Sequence, residues 1–338
     1  MHVRSISGKL LMMSGSKVVV TGGAGFIGSH IVDELVRNGI ETYVVDDLSS
    51  GSMTNLSENI ETPLLHIKIG DISNIAELLS DVSNIDTVFH EAAIASVPKS
   101  ISDPLLVHKV NMNSSMQVLD FCVKKRVRRL VFASTSAVYG AVKTPPAIED
   151  LHCEPESPYG ASKLAVEGYL KAYNKAYGLE TVALRYFNVF GPRQRLSDYS
   201  GVITLFINKL LHHERPIIYG DGTQTRDFVH VRDIVRANLL AMDSDKAAGE
   251  TFNVASGNQV SILKLFEIIK ELTEEHQIVP LFGPKRPGDL QGSLLSIEKI
   301  QNKLGYRPKV ELKQGLEELI ESIKKSSMQI AYPKNIRI

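Results

Sequence analysis

The chain has 338 residues, long enough for a large core and for two domains or one domain with a sizeable appendage. Apolar residues make up 43% and charged residues 22%, and 38 basic side chains balance 38 acidic ones. A net charge of +0 argues against a nucleic-acid or membrane-surface partner.

Residues 1–15 read as a loose leader, because the apolar stretch at 10–13 is too short for a signal peptide or a membrane span. KVVVTG at 17–22 is a β-branched run ended by glycine, the pattern of a buried strand. SHIVDELVRNG then places Ile31, Val32, Leu35 and Val36 at helical spacing and closes on Gly39. Between strand and helix lie Gly22, Gly25 and Gly28, spaced GxxGxxG. A turn stripped of Cβ atoms lets a pyrophosphate reach backbone N–H groups and the positive end of the helix. An isolated glycine motif is often only a flexible loop; the strand before and the helix after weigh against that here. A second strand is expected at 41–47, ending on Asp46, 18 residues beyond Gly28, with Asp47 beside it. A carboxylate there accepts hydrogen bonds from an adenosine ribose and repels a 2′-phosphate, which predicts NAD rather than NADP. The plainer reading of an aspartate after a strand is a turn former.

Further strands are expected at 64–71, 85–93, 129–135 and 181–188, with helices over IAELLSDV, 104–126 and 158–177. The alternation implies an α/β fold, a doubly wound parallel (Rossmann) sheet with helices on both faces. The basic run from Lys124 to Arg129 reads as a solvated helix end before a strand. Cys122 and Cys153 sit in no metal or redox spacing, which fits a reducing cytoplasm and no disulfide framework. His90 and His230 read as packed structural residues, His212 and His213 as surface, and no metal is expected.

Tyr159 and Lys163, in YGASK, lie one helical turn apart on one face. A phenol with a pKa of about 10 is a poor base at neutral pH. An ammonium beside it and the positive ring of a nicotinamide favour the phenolate, which then serves as general base for a substrate hydroxyl. YxxxK is also a common accident on helix surfaces; this one follows Thr135, at the carboxyl end of a strand, by 24 residues. After Asn188 the segments shorten and turns multiply. A cofactor domain is therefore expected at 16–185, a smaller α/β substrate-binding domain interleaved with it at 186–325, and a tail at 326–338.

TGGAGFIGSH, the acidic residue of VVDDLSSG, GD at 70–71, HEAA at 90–93, STSAVYG, YGASK and LRYFNVFGPRQ fall in order across roughly residues 16–320. Together they resemble the extended short-chain dehydrogenase/reductase family, and within it the UDP-hexose 4-epimerases. The resemblance implies that Gly22, Gly25 and Gly28, with Phe26 and Ile27 between them, cradle the pyrophosphate of NAD, and that Asp46, with Asp47, holds the ribose. It implies contacts of Asp71 and Ile72 with adenine, and a passage toward the nicotinamide lined by Ala92 and Ala93. Thr135, with Ser134 or Ser136, would bond the reacting oxygen; Tyr159 would be the base and Lys163 its partner. Tyr186 and Phe187 would pack near the nicotinamide, and Asn188 would meet the substrate diphosphate. Arg226 and Arg286 match the family's phosphate-binding arginines, whose fork suits phosphate oxygens, and Asp289 matches a residue on the uridine ribose.

Dehydratases and decarboxylases of this family carry a carboxylate before Val-Tyr-Gly; Thr135, Ser136 and Ala137 supply none, which implies a 4-epimerase. Ser293 stands where epimerases restricted to plain hexoses carry tyrosine, and the loop around Ser96 resembles that of epimerases favouring N-acetylated sugars. UDP-GlcNAc and UDP-GalNAc are thus expected beside UDP-Glc and UDP-Gal. A glucuronate epimerase using Lys99, Arg193 or Arg195, another nucleotide-sugar dehydratase or decarboxylase with its carboxylate from elsewhere, and a non-catalytic NAD-binding regulator remain alternatives. The family resemblance also implies a cytoplasmic homodimer through the helices at 104–125 and 158–176, where Val118, Leu119, Val166 and Leu170 are either interface or core.

Overall fold

Three consecutive valines set the centre of the fold. Val18 and Val20 point into one hydrophobic cluster and Val19 into another, and all three are fully buried. A strand covered on both faces needs no polar alternation, and it belongs in a parallel sheet between helix layers. The computed structural model describes residues 15–142, 145–195, 201–285, 292 and 294–331, the last six by backbone alone.

From the amino end come β1 (Lys17–Thr21), α1 (Phe26–Arg37), β2 (Glu41–Asp46), β3 (Leu65–Ile69), the single turn α2 (Ile75–Leu78) and β4 (Ile85–His90). Next are α3 (Val97–Ser102), α4 (Pro104–His108), α5 (Ser114–Lys124), β5 (Arg129–Thr135), α6 (Pro158–Tyr177) and β6 (Glu180–Tyr186). Then follow β7 (Asn188–Phe190), α7 (Val202–Leu211), β8 (Ile217–Tyr219), β9 (Thr225–His230), α8 (Val231–Asp243) and β10 (Thr251–Val254). The chain closes with β11 (Gln259–Ser261), α9 (Ile262–Leu272), β12 (Leu281–Gly283), α10 (Glu298–Leu304) and α11 (Leu312–Ala331).

The large sheet runs β10-β6-β5-β4-β1-β2-β3, with every pairing parallel. Residues of α1 and α8 pack with the Val18 cluster, and those of α5 and α6 with the Val19 cluster, so the sheet is wound on both faces. The order reverses between β1 and β4, and the crevice at their carboxyl ends is where doubly wound sheets bind ligands. The outermost strand, β10, comes from beyond residue 186. The remaining segments form a β11-β9-β7 sheet, a β12-β8 pair and a third core between α7, α9 and α11.

Several expectations are corrected. The helix expected over 104–126 is broken by a π turn at Lys109–Asn113. There Asn111 accepts from Ile94 N at 2.8 Å and donates to Ile94 O at 3.1 Å, so a tertiary bond reshapes the helix. The strand expected to reach residue 93 stops at His90, and the one expected to reach 188 stops at Tyr186, after which β7 joins another sheet. The basic run is a solvated helix end at Lys124 and Arg126 but not at its far end. Arg129 is fully buried, bonded to Glu180 and to the carbonyls of Ala241, Met242 and Ser244 at the carboxyl end of α8. Val118, Leu119, Val166 and Leu170 are core, whereas Ile101, Leu105 and Tyr169 expose their side chains. Among the described residues no helix is long and apolar enough to cross a membrane.

Candidate active site

The turn after β1 has no room for side chains. Gly22 has φ +67°, and a Cβ on it would lie 2.7 Å from Ala92 N. A Cβ on Gly28 would lie 2.2 Å from Gly22 O, so the helix can approach the turn only through glycine. Gly25 is the N-cap of α1 and offers no side-chain cap, and no acidic residue occupies the first turn; the positive helix end keeps its N–H donors for an anion. Phe26 and Ile27 open the helix, Phe26 packing edge-on against His30 with ring centroids 6.2 Å apart. Asp46 ties this turn to the next loop: its carboxylate accepts from Ala24 N at 2.9 Å and from Leu48 N at 2.8 Å. Burial raises its pKa and the two backbone donors oppose that. Asp47 turns outward and accepts from Ser49. Asp71 caps the short turn Ile72–Asn74 through Ser73 N at 2.8 Å, with Ile72 buried beside it. Ala92 N donates to Thr21 Oγ1 at 3.3 Å, with Ala93 next in the loop. The bare turn, the uncapped helix and the carboxylate at the end of β2 together fit a dinucleotide.

His90 underpins this crevice as a packed residue. Ser115 Oγ donates to Asn111 O at 2.5 Å and so receives its hydrogen bond from His90 Nε2, at 2.8 Å. The ring's Nδ1 is left to accept from Thr21 Oγ1 at 2.7 Å. Burial pulls the imidazole down to about 3, so it is neutral.

Tyr159 and Lys163 stand in α6, whose first turn is fixed by Ser157 accepting from Gly160 N at 3.1 Å and by Pro158 at the first position. The Thr135 hydroxyl, at the end of β5, favours the ionised form of the Tyr159 phenol. Burial nevertheless raises the phenol, while the Lys163 ammonium donates to Ala133 O at 2.8 Å and lies over the Phe132 ring. Lys163 is itself pulled down to about 8 by burial. Ser136 opens the short turn after β5, next to Thr135. Ser134 does not join them, because its hydroxyl donates to Glu167 Oε1 at 2.5 Å within the buried Glu167–Arg185 ion pair.

Tyr186 pairs with Thr135 across β5 and β6. Its hydroxyl donates to Glu91 Oε1 at 2.8 Å, and burial pushes the Glu91 carboxyl up to about 7. Sequence reasoning missed Glu91: a carboxylate one residue past a strand looks like any loop residue.

A cavity of about 560 Å³ is bounded by β7, α7, β8, β9 and Ala95 of the loop after β4. Asn188 and Arg226 both line it, so two expected substrate contacts share one wall. Asn188 is held by Asp227 O at 2.8 Å. Ser96, just past Ala95, caps α3 through Lys99 N at 3.2 Å. Arg286, Asp289 and Ser293 lie outside the described residues. The segment between cofactor turn and cavity is clasped to both. Arg193 pairs with Asp33 of α1 at 2.7 Å, Arg195 donates to Ser50 O at 3.0 Å, and Gln194 lines the cavity.

A profile of the NAD dependent epimerase/dehydratase family matches residues 18–255. The fold superposes on a UDP-N-acetylglucosamine 4-epimerase from Methanobrevibacter ruminantium, in complex with UDP-N-acetylmuramic acid, at TM-score 0.88 and 41% identity, covering 93% of this chain and 100% of that one. It superposes on a UDP-glucose 4-epimerase from Thermotoga maritima, with UDP-glucose, at TM-score 0.86 and 39% identity, covering 92% and 99%. A dTDP-glucose 4,6-dehydratase from Actinoplanes sp. is 34% identical over 314 residues, 90% of this chain and 96% of that protein.

Proposed function

The chain belongs to the NAD dependent epimerase/dehydratase family, with NAD as its cofactor, and from that premise we propose that it is a UDP-sugar 4-epimerase. The substrates proposed are UDP-Glc/UDP-Gal and UDP-GlcNAc/UDP-GalNAc. The observation that carries the reading is the group Thr135, Tyr159 and Lys163 without a carboxylate at Ser136 or Ala137. Removing and returning a proton and a hydride at C4 needs only a base and an acceptor; elimination of a C6 hydroxyl needs a further acid.

In this reading Tyr159 takes the proton of the 4-hydroxyl, with Thr135 holding the same oxygen. Bound NAD supplies the hydride acceptor and, afterwards, the donor. Asn188 and Arg226, joined by Arg286, grip the nucleotide diphosphate, and Asp289 holds the uridine ribose, while the 4-keto sugar turns over. Tyr159 then returns the proton on the other face. Lys163 holds the cofactor's ribose and orients the phenol. The glucuronate alternative finds less support: Lys99 is paired with Asp103, Arg193 with Asp33, and Arg195 reaches Ser50 O. We propose a homodimer through the outer faces of α4 and α6, which expose Leu105 and Tyr169.

Product analysis by NMR across UDP-Glc, UDP-Gal, UDP-GlcNAc and UDP-GalNAc tests the reading. Interconversion without net cofactor reduction is expected, falling roughly 10²–10⁴-fold in Tyr159→Phe with NAD still bound. Undiminished turnover in that variant overturns the mechanism, and no turnover of either acetamido sugar overturns the wider substrate range.

A further inference from the structure

Ser134 stands one residue before Thr135, and its hydroxyl is claimed by a buried ion pair that the mechanism above leaves without a task. Arg185 of β6 meets Glu167 of α6 through both prongs of its fork, Nε to Oε1 at 2.9 Å and Nη2 to Oε2 at 2.6 Å. Both side chains are buried. A carboxylate held this way only accepts, so the Ser134 hydroxyl donates to Oε1, at the short 2.5 Å of a bond to a charged oxygen. A buried ion pair is weak evidence of stability in itself, since desolvation of both charges offsets their attraction. Its position is the better guide to what it does.

Glu167 lies one turn beyond Lys163 on α6 and two turns beyond Tyr159. The helix meets one short stretch of chain three times. Gly160, next to Tyr159, packs so closely that a Cβ on it would lie 2.5 Å from Ala137 O. Lys163 donates to Ala133 O at 2.8 Å, and Glu167 accepts from Ser134. Residues 133–137 thus carry three attachments to α6, and Thr135 and Ser136 lie between them. Arg185 holds the same stretch from the other side. It pairs with Ser134 across β5 and β6, its guanidinium lies 4.7 Å from the centroid of the Tyr139 ring, and Nη1 donates to Glu149 O at 3.2 Å. The ion pair therefore joins α6, β5, β6 and the loop after β5 at one place.

We infer that Glu167 and Arg185 are positioning residues for the proton transfer: through the Ser134 bond they hold α6 on the end of β5, so that Tyr159 and Thr135 are presented to the same substrate oxygen. The inference rests on Tyr159 being the proton-transfer group. A helix attached through one side chain, Lys163, can still turn about that point; a second attachment one turn on removes that freedom. The placement matters because a misplacement of about 1 Å can cost on the order of 100-fold in rate.

The test is a tyrosinate titration of the holoenzyme at 295 nm without sugar. Subtracting the matching Tyr159→Phe spectrum isolates one of the 11 tyrosines. Ser134→Ala removes the tie and leaves the ion pair intact. Thr135 favours the ionised phenol, and a helix that has shifted loses part of that help. The Tyr159 midpoint should rise by about half a pH unit in Ser134→Ala, and kcat should fall about tenfold while KM for the UDP-sugar holds. A merely structural loss lowers Tm and moves neither. The same substitution is then made in Thr135→Val. If Ser134 acts through Thr135, its removal should no longer move the midpoint there. Arg185→Lys, which keeps the charge but gives up the fork, should also raise the midpoint, and it carries the test if Ser134→Ala does not fold. A midpoint that stays in place or falls, or one that rises equally in the Thr135→Val background, overturns the inference. Because the titration contains no sugar, it decides on the ion pair even if no UDP-sugar is interconverted; that separate result would overturn the proposed function.

Discussion

The Thr135 hydroxyl favours the ionised form of the Tyr159 phenol. Thr135→Val keeps shape and removes that hydroxyl. The phenol should then ionise at higher pH, so the acid limb of kcat should move up. Activity at neutral pH should fall about tenfold, the worth of one lost hydrogen bond to a charged group. A pH–rate series checks both sign and size. That Asp46 ends β2 and that Tyr159 and Lys163 share a turn of α6 was legible in the sequence, because those places follow from spacing along the chain. Glu91 was not, because what gives it meaning is remote: Tyr186 lies 95 residues on. Ser134 was misplaced for a similar reason. Nothing near it in sequence announces that Glu167 and Arg185 claim its hydroxyl.

The same contrast holds between elements. The helix at 158–177 was legible to the residue because its signals are local: Ser157 as cap, Pro158 at the first position and Gly178 at φ +71° just past the end. Ser157→Ala should cost about 1 kcal/mol of stability in urea unfolding. Tyr159 sits in the turn that would fray, so kcat should fall more than KM changes. The helix over 104–126 was read as continuous, since its composition favours one. The break at Lys109–Asn113 belongs to the bonds of Asn111 with Ile94, a contact between two elements that periodicity does not encode. Arg129 teaches the same lesson. Its charge suggested solvent, yet its place at the start of β5 aims it at the carbonyls ending α8, where a cation is favoured.

Across the whole molecule, three histidines tie stability to pH. Burial pulls His30 down to about 4 and His90 and His230 down to about 3. Below about pH 6.5 the unfolded chain takes up protons on all three and the folded chain does not, so stability is lost as pH falls, by up to about 1.4 kcal/mol per pH unit for each. Glu91, raised to about 7, binds its proton more tightly when folded and works the other way below neutrality. Three groups against one leave a net loss. Tm should fall between pH 7.5 and pH 5, and His90→Gln should lessen that slope. The doubly wound architecture was legible from alternation alone; the membership of β10 in the large sheet was not, since a four-residue strand carries little pattern of its own.

That last strand bears on how the protein is made. As translation proceeds, β6 is complete at Tyr186, but the partner for its open flank is not encoded until Thr251–Val254. Through that interval a nascent chain offers an apolar, unpaired edge to any neighbour on the same messenger. The ribosome-bound intermediate, not the finished chain, is where that edge stands open.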